Sequence, residues 1–199
     1  MPLQYRHTSA RRGLEPGKSG FCCVARDRDL PPDLATELER LSRYEHFPDR
    51  ENPWIARHLR ISLRSGKYHV LSRLIDAGTD YSKRNNHIAH HLSFAEEEVV
   101  RLPDPATILF FWRGWRDSWK EPSRVLNEQD AFSIQNLDIE STPISDAFPT
   151  AIERGSLIEK PYTIKVGWER ELALHYRNEL LKLPAESRWN VAFTNFILT

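Results

Sequence analysis

Apolar and polar positions along the first third of this chain alternate in short runs separated by turn residues. Residues 3–9 and 21–26 are β-prone. Between them Gly13, Pro16, Gly17 and Gly20 suit a bend that needs positive φ, so the pattern predicts a hairpin with a long connection. Pro31, Pro32 and Asp33 then open a helix whose Leu34, Leu38 and Leu41 recur at i, i+4 and i+7, and the helix fades near Tyr44, ahead of Pro48. Residues 48–57 read as a loop. Residues 58–63 alternate, as residues 68–75 do in part, and Ser65-Gly66-Lys67 lies between them. That is the clearest hairpin signal in the chain.

After Asp76-Ala77-Gly78 the pattern predicts a polar loop and then a helix over residues 86–92, with Ser93 capping a short acidic helix through Glu96, Glu97 and Glu98. Trp112, Trp115 and Trp119 stand at i, i+3 and i+7, the spacing of one helical face, and predict a satellite core. Residues 121–145 are polar and proline-rich and read as an irregular connection. A short helix over residues 150–153 and a strand over residues 162–166 follow. The best helix of the C-terminal half is residues 168–183, with Leu172, Tyr176, Leu180 and Leu183 apolar and Pro184 as its stop. Residues 191–199 read as a strand cut off in mid-pattern, which predicts an N-terminal piece of a longer protein.

These elements predict an α/β chain of the α+β kind: a mixed or antiparallel sheet built from hairpins, with helices packed on it. Residues 1–103 carry the α+β core, and residues 104–199 add the tryptophan cluster, the irregular connection and a strand–helix–strand end, the two parts forming one compact unit. A 199-residue chain with 40% hydrophobic residues is long and apolar enough for such a core.

Charge removes some function classes. Lys+Arg and Asp+Glu number 28 each, so no global field draws the protein to nucleic acid or to an acidic membrane. The only cysteines, Cys22 and Cys23, are adjacent and offer no secretory disulfide framework. The N-terminus lacks the apolar stretch of a signal peptide, and the longest apolar run, residues 107–112, is far too short to span a bilayer. A cytoplasmic location follows by elimination.

Four features invite a chemical reading. Gly13 to Ser19 resembles a phosphate-binding loop, but only three residues separate its glycines and a strand follows it, so the hairpin turn is the better reading. On the predicted helix His87 and His91 are i, i+4 neighbours that could reach one metal ion. Asp80 is the nearest plausible third ligand, and His90 lies between them; histidines that pack and hydrogen-bond inside the domain are the alternative. The basic loop Asp80 to Asn86, running into a helix start, could offer free amides with Lys83 and Arg84 to an anion, against an ordinary capped and solvated start. Thr8, Ser9, Arg11 and Arg12 would join that loop if the first hairpin pairs with the strands that follow. No Ser-His-Asp set stands out, and the cysteines sit in an apolar run unsuited to a reactive thiol. The tryptophans suit a core cluster better than a partner-binding face.

Two segments also carry a resemblance. Tyr5-x-x-Thr8-Ser9-Ala10-Arg11-Arg12-Gly13-Leu14-x-x-Gly17-x-Ser19-Gly20-Phe21 is followed, after a strand, by Asp80-Tyr81-x-x-Arg84-x-Asn86-x-x-Ala89-His90-His91-Leu92. Together they resemble the N-terminal domain, second type, of bacterial GTPase-associated proteins, which occur in multidomain chains of GTPase-centred conflict systems. The resemblance runs from residue 3 to residue 92, and residues 188–194 are similar to a strand of such proteins. It implies an adaptor or regulatory module beside a GTPase, with a GTPase or its associated subunits as protein partner, no cofactor and no catalytic residues to carry over.

The expected function is thus a non-catalytic binding module whose surface is built from Thr8, Ser9, Arg11, Arg12, Asp80, Arg84, Asn86 and His90. Two alternatives stand beside it. One is an enzyme using His87, His90 or His91 with Asp80, around a metal or without one. The other is a self-association scaffold joined through an exposed apolar face such as the tryptophans.

Overall fold

The first hairpin forms because Gly17 and Gly20, at φ +79° and +74°, take left-handed conformations that other residues resist. It joins β1 (Leu3–Ala10) to β2 (Gly20–Arg26) in antiparallel pairing, Ser9 opposite Phe21. The computed structural model describes residues 1–47, 52, 54–137 and 169–194. After β2 comes α1 (Pro32–Leu41), which starts on Pro32 and buries the predicted stripe of Leu34, Leu38 and Leu41. A second hairpin joins β3 (Ile55–Leu63) to β4 (Gly66–Thr79), with Gly66 at the turn, and β4 pairs antiparallel with β5 (Asn85–Ala95). The remaining α-helices and strands among the described residues are α2 (Pro105–Phe111), β6 (Arg124–Val125), α3 (Glu169–Leu181) and β7 (Phe193–Thr194).

Among the described residues the strands form one seven-stranded sheet in the order β6-β2-β1-β5-β4-β3-β7. Every neighbour pair is antiparallel except β2 with β6, so the sheet is mixed, as the α+β reading requires. Helix α1 covers one face, packing Leu34, Leu38 and Leu41 against Tyr5, Cys23 and Val70. The other face carries the larger core: Leu71, Leu92 and Phe94 meet Ile108, Leu109, Trp112 and Trp115, and Tyr176, Leu180 and Trp189 close over them. That cluster draws on residues from both sides of position 103. Asp104 caps α2 by accepting from the Thr107 amide at 2.9 Å.

Several predicted elements differ. Residues 86–92 are not helical: they form the middle of β5, with β1 on one side and β4 on the other. A strand buried on both faces loses the polar–apolar alternation that identifies strands, and here residues 87–94 are all buried. Ser93 therefore lies inside β5 and caps nothing; a turn at Glu96 to Glu98 leads into a single 3-10 turn, Val99–Arg101. Helix α1 ends at Leu41, three residues short of the predicted fade, and β3 begins at Ile55, inside the predicted loop.

Trp112 and Trp115 do not share a helix. α2 stops at Phe111, Trp112 is extended and bridges to Leu137, and the two indoles meet edge-on at 5.3 Å across a turn. Both are buried, so they form core and no association face. Trp119 lies against the Arg6 and Arg124 guanidiniums. α3 matches the predicted C-terminal helix, with Tyr176 and Leu180 buried and Pro184 beyond its end. The expected helix at residues 150–153, the strand at residues 162–166 and the strand end at residues 195–199 lie outside the described residues. No helix among the described residues is long and apolar enough to cross a membrane.

Candidate functional site

The antiparallel pairing of β1 with β5 places Thr8 opposite Ile88, which carries the end of β1 to the turn between β4 and β5. The two motif segments, some seventy residues apart in sequence, meet there. Asp80 is the hub. Its Oδ1 accepts from the Ser82 amide and hydroxyl, each at 2.7 Å, and from the Arg84 amide at 3.0 Å. Its Oδ2 accepts from Ser9 Oγ at 2.8 Å and from Arg84 Nη2 at 3.1 Å. Burial by itself would raise the Asp80 carboxyl, but the hydrogen bonds from Ser82, Arg84 and Ser9 prevail and hold it well below the usual carboxylate range.

Asn86 fastens the other side, its Oδ1 accepting from the Ser9 amide at 3.1 Å while Thr8 Oγ1 donates to the His87 carbonyl at 2.6 Å. Lys83 takes a left-handed φ of +62°, which lets its amide donate to the Asp80 carbonyl and the Asp80 amide to the Arg84 carbonyl. The turn is thus stitched to itself and to β1.

Of the eight residues expected to form one surface, Thr8, Ser9, Asp80 and Asn86 spend their polar atoms on this clasp. Arg84 straddles it, bonded to Asp80 and Ser82 yet largely exposed. Arg11 and Arg12 are exposed, and the Arg11 guanidinium lies 5.7 Å from the centre of the Tyr81 ring. Lys83, named with Arg84 in the anion reading of this loop but not among those eight, is exposed beside them.

His90 is elsewhere. Its ring is fully buried on the α2 side of the sheet, edge-on to Trp112 and Trp115. The Arg116 amide donates to its Nδ1 at 3.2 Å, so Nε2 carries the proton and donates to Gln4 Oε1 at 3.1 Å. Gln4 Oε1 also accepts from Arg6 Nη2, and Arg6 pairs at 3.2 Å with Asp130, itself gripped by Arg124 at 2.5 Å. Burial tends to raise the Asp130 carboxyl, but hydrogen bonds from Arg124 and Asn127 and the Arg6 charge bring it down to about 2. Sequence reading missed this network. The signal available was Gln4 and Arg6, polar residues at alternate positions of an otherwise buried strand.

The other two histidines do not converge either. Four residues along a strand span about 13 Å, so His87 and His91, on one face of β5, cannot share an ion as they could on a helix. His91 sits between two serines. Ser42 Oγ donates to the Leu38 carbonyl, hence accepts from His91 Nε2–H, and Ser72 Oγ donates to His91 Nδ1 at 2.8 Å. A serine hydroxyl donating to an imidazole is the first link of a nucleophile–base pair. Here Ser72 and His91 are both fully buried, out of reach of a substrate.

His87 donates from Nε2 to the Ser42 carbonyl, and its ring stacks on both Phe21 and Tyr44. His87 Nδ1 and His7 Nδ1 are buried without a hydrogen-bond partner. Burial pushes both imidazoles down to about 4, and the rings of His90 and His91 well below their ordinary value. Among the described residues no group of three or more His, Cys, Asp or Glu is placed to hold a metal ion. Cys22 and Cys23 are buried free thiols, and burial pushes Cys23 up to about 12, so neither suits a nucleophile. A cavity of about 280 Å³ between α1 and the β1–β2 connection has Tyr5, Lys18, Cys23, Arg26 and Glu39 in its walls, and none of the expected surface residues.

The comparison that decides the family covers this clasp. A family model for the N-terminal domain, type 2, of GTPase-associated protein 1 matches residues 1–132. The chain belongs to that family. The match spans both motif segments, β1 to β6 and the Asp130 network, so the family model takes in the clasp and most of the sheet. No curated protein and no solved structure matches the chain.

Proposed function

We propose that this chain is a non-catalytic binding module of a GTPase-associated protein, acting as an adaptor or regulator in a cytoplasmic, GTPase-centred conflict system. The observation that carries the reading is the state of the histidines. His87, His90 and His91, the residues an enzyme would need, are buried strand residues with separate hydrogen-bond partners, and Asp80 is saturated by its own turn. Such groups stabilise a sheet; they cannot meet a substrate together. Family membership supplies the GTPase association, and the outer face of the clasp supplies a surface free to meet a partner protein.

A pull-down from the native host with this chain as bait, with bound metal quantified on the same sample, tests the proposal. Recovery of a GTPase or of its associated subunits without stoichiometric metal is the expected result. A metal-loaded chain that recovers no protein would overturn it.

A further inference from the structure

Resting on the binding-module reading, we propose that the tip of the sheet formed by the β1 end and the β4–β5 turn docks an acidic, carboxylate-rich segment of the partner protein. Three cations project from this tip without a carboxylate partner among the described residues: Arg11 and Arg12 from the β1–β2 connection and Lys83 from the turn. Arg84 adds a fourth whose charge is offset by Asp80. Arg11, Arg12 and Lys83 thus place three unpaired positive charges at one end of the sheet of a net-neutral chain.

The backbone decides the shape of the anion. A compact phosphate is held by convergent free amides, and here the amides of Asp80, Ser82, Lys83 and Arg84 are all donated inside the turn. The Thr8 hydroxyl and the Ser9 hydroxyl and amide are likewise spent. What is left to bind with is long side chains on two separate loops, which suits charges spaced along an extended peptide. Tyr81 is 45% exposed beneath Arg11 and offers an aromatic face to an apolar side chain between those charges. The clasp has a positioning role: by tying Asp80 and Asn86 to Ser9, and Thr8 to the His87 carbonyl, it holds the Arg11–Arg12 loop against the Lys83–Arg84 turn.

The test is fluorescence anisotropy of a labelled glutamate-rich peptide on the whole chain, at low and at high sodium chloride. Binding at low salt that weakens about tenfold or more at high salt is expected, because exposed charges are screened. The double variant Arg11→Glu/Lys83→Glu should lose the peptide at unchanged melting temperature, and Arg11→Lys should keep most of it. Peptide binding that survives the charge reversal overturns the proposal, as does tighter binding of a single-stranded oligonucleotide than of the peptide. Running the host pull-down with the same double variant separates the two levels. A partner recovered equally well by the variant overturns the tip assignment and leaves the module reading standing. A tip that binds the peptide in a chain recovering no partner overturns the module reading alone.

Discussion

Acid should unfold this protein at a pH where carboxylates are still ionised. His7, His58 and His87 are held by burial at about 4, 3 and 4, and His90 and His91 lie well below the ordinary 6.5. His58 donates from Nδ1 to the Val191 carbonyl and accepts from His69, so it too is locked in its neutral form. Each folded value is below the unfolded one, so the unfolded chain binds more protons as pH falls. The stability these rings contribute is complete above 6.5 and is lost as pH drops from there toward 4. Between pH 7.5 and 5.5 one such ring loses about 1.3 kcal/mol, and five independent rings lose about 6.5 kcal/mol. That rivals the whole stability of a typical domain, roughly 5–15 kcal/mol, and corresponds to a fall in melting temperature on the order of 15 °C. Urea denaturation followed by circular dichroism across this range measures it, and the slope against pH reports about four to five protons taken up on unfolding near pH 5.5. A melting temperature that stays level from pH 7.5 to 5.5, with loss only below about 4 where carboxylates titrate, would show that these rings are not buried neutral groups and would refute the reasoning.

Two other perturbations test the packing. Asp130→Ala strands the buried Arg6 guanidinium and should cost about 3–5 kcal/mol, whereas Arg6→Leu leaves Asp130 with Arg124 and should cost less than half as much in the same urea titration. Cys22 and Cys23, at 4% and 9% exposure, should react with DTNB only as the chain opens, so labelling in urea should outpace native labelling by about a hundredfold or more; rapid native labelling would mean the β2 edge is open.

The family signature and the fold's main trait, an enclosed sheet, pull in opposite directions when read locally. The histidine-rich segment looks functional in sequence because three polar rings within five positions are rare inside a core. In the fold they are core residues, each buried by a neighbouring strand and most satisfied by a local partner. Ser42, Ser72 and Gln4 supply those partners, and no periodicity in the sequence marks them.

What the sequence by itself determined is local. The two hairpins follow from Gly17, Gly20 and Gly66, which free the backbone at their turns. Helix α1 follows from its Leu34, Leu38 and Leu41 stripe, and the end of the C-terminal helix from Pro184. The sequence also singled out Thr8, Ser9, Asp80, Arg84 and Asn86, through the two motif segments, but as a binding surface and not as residues bonded to one another. Tertiary structure alone decided the rest. Residues 86–92 became a strand because β1 and β4 flank them and helices cover both faces, and two-sided burial erases the alternation a strand would otherwise show. His90 left the expected surface because four residues along a strand span about 13 Å, where one turn of helix would have kept it beside Asn86. Which cations stayed free at the tip was settled last, by which carboxylates the fold had already brought to their neighbours, a pairing between distant segments that no local pattern records.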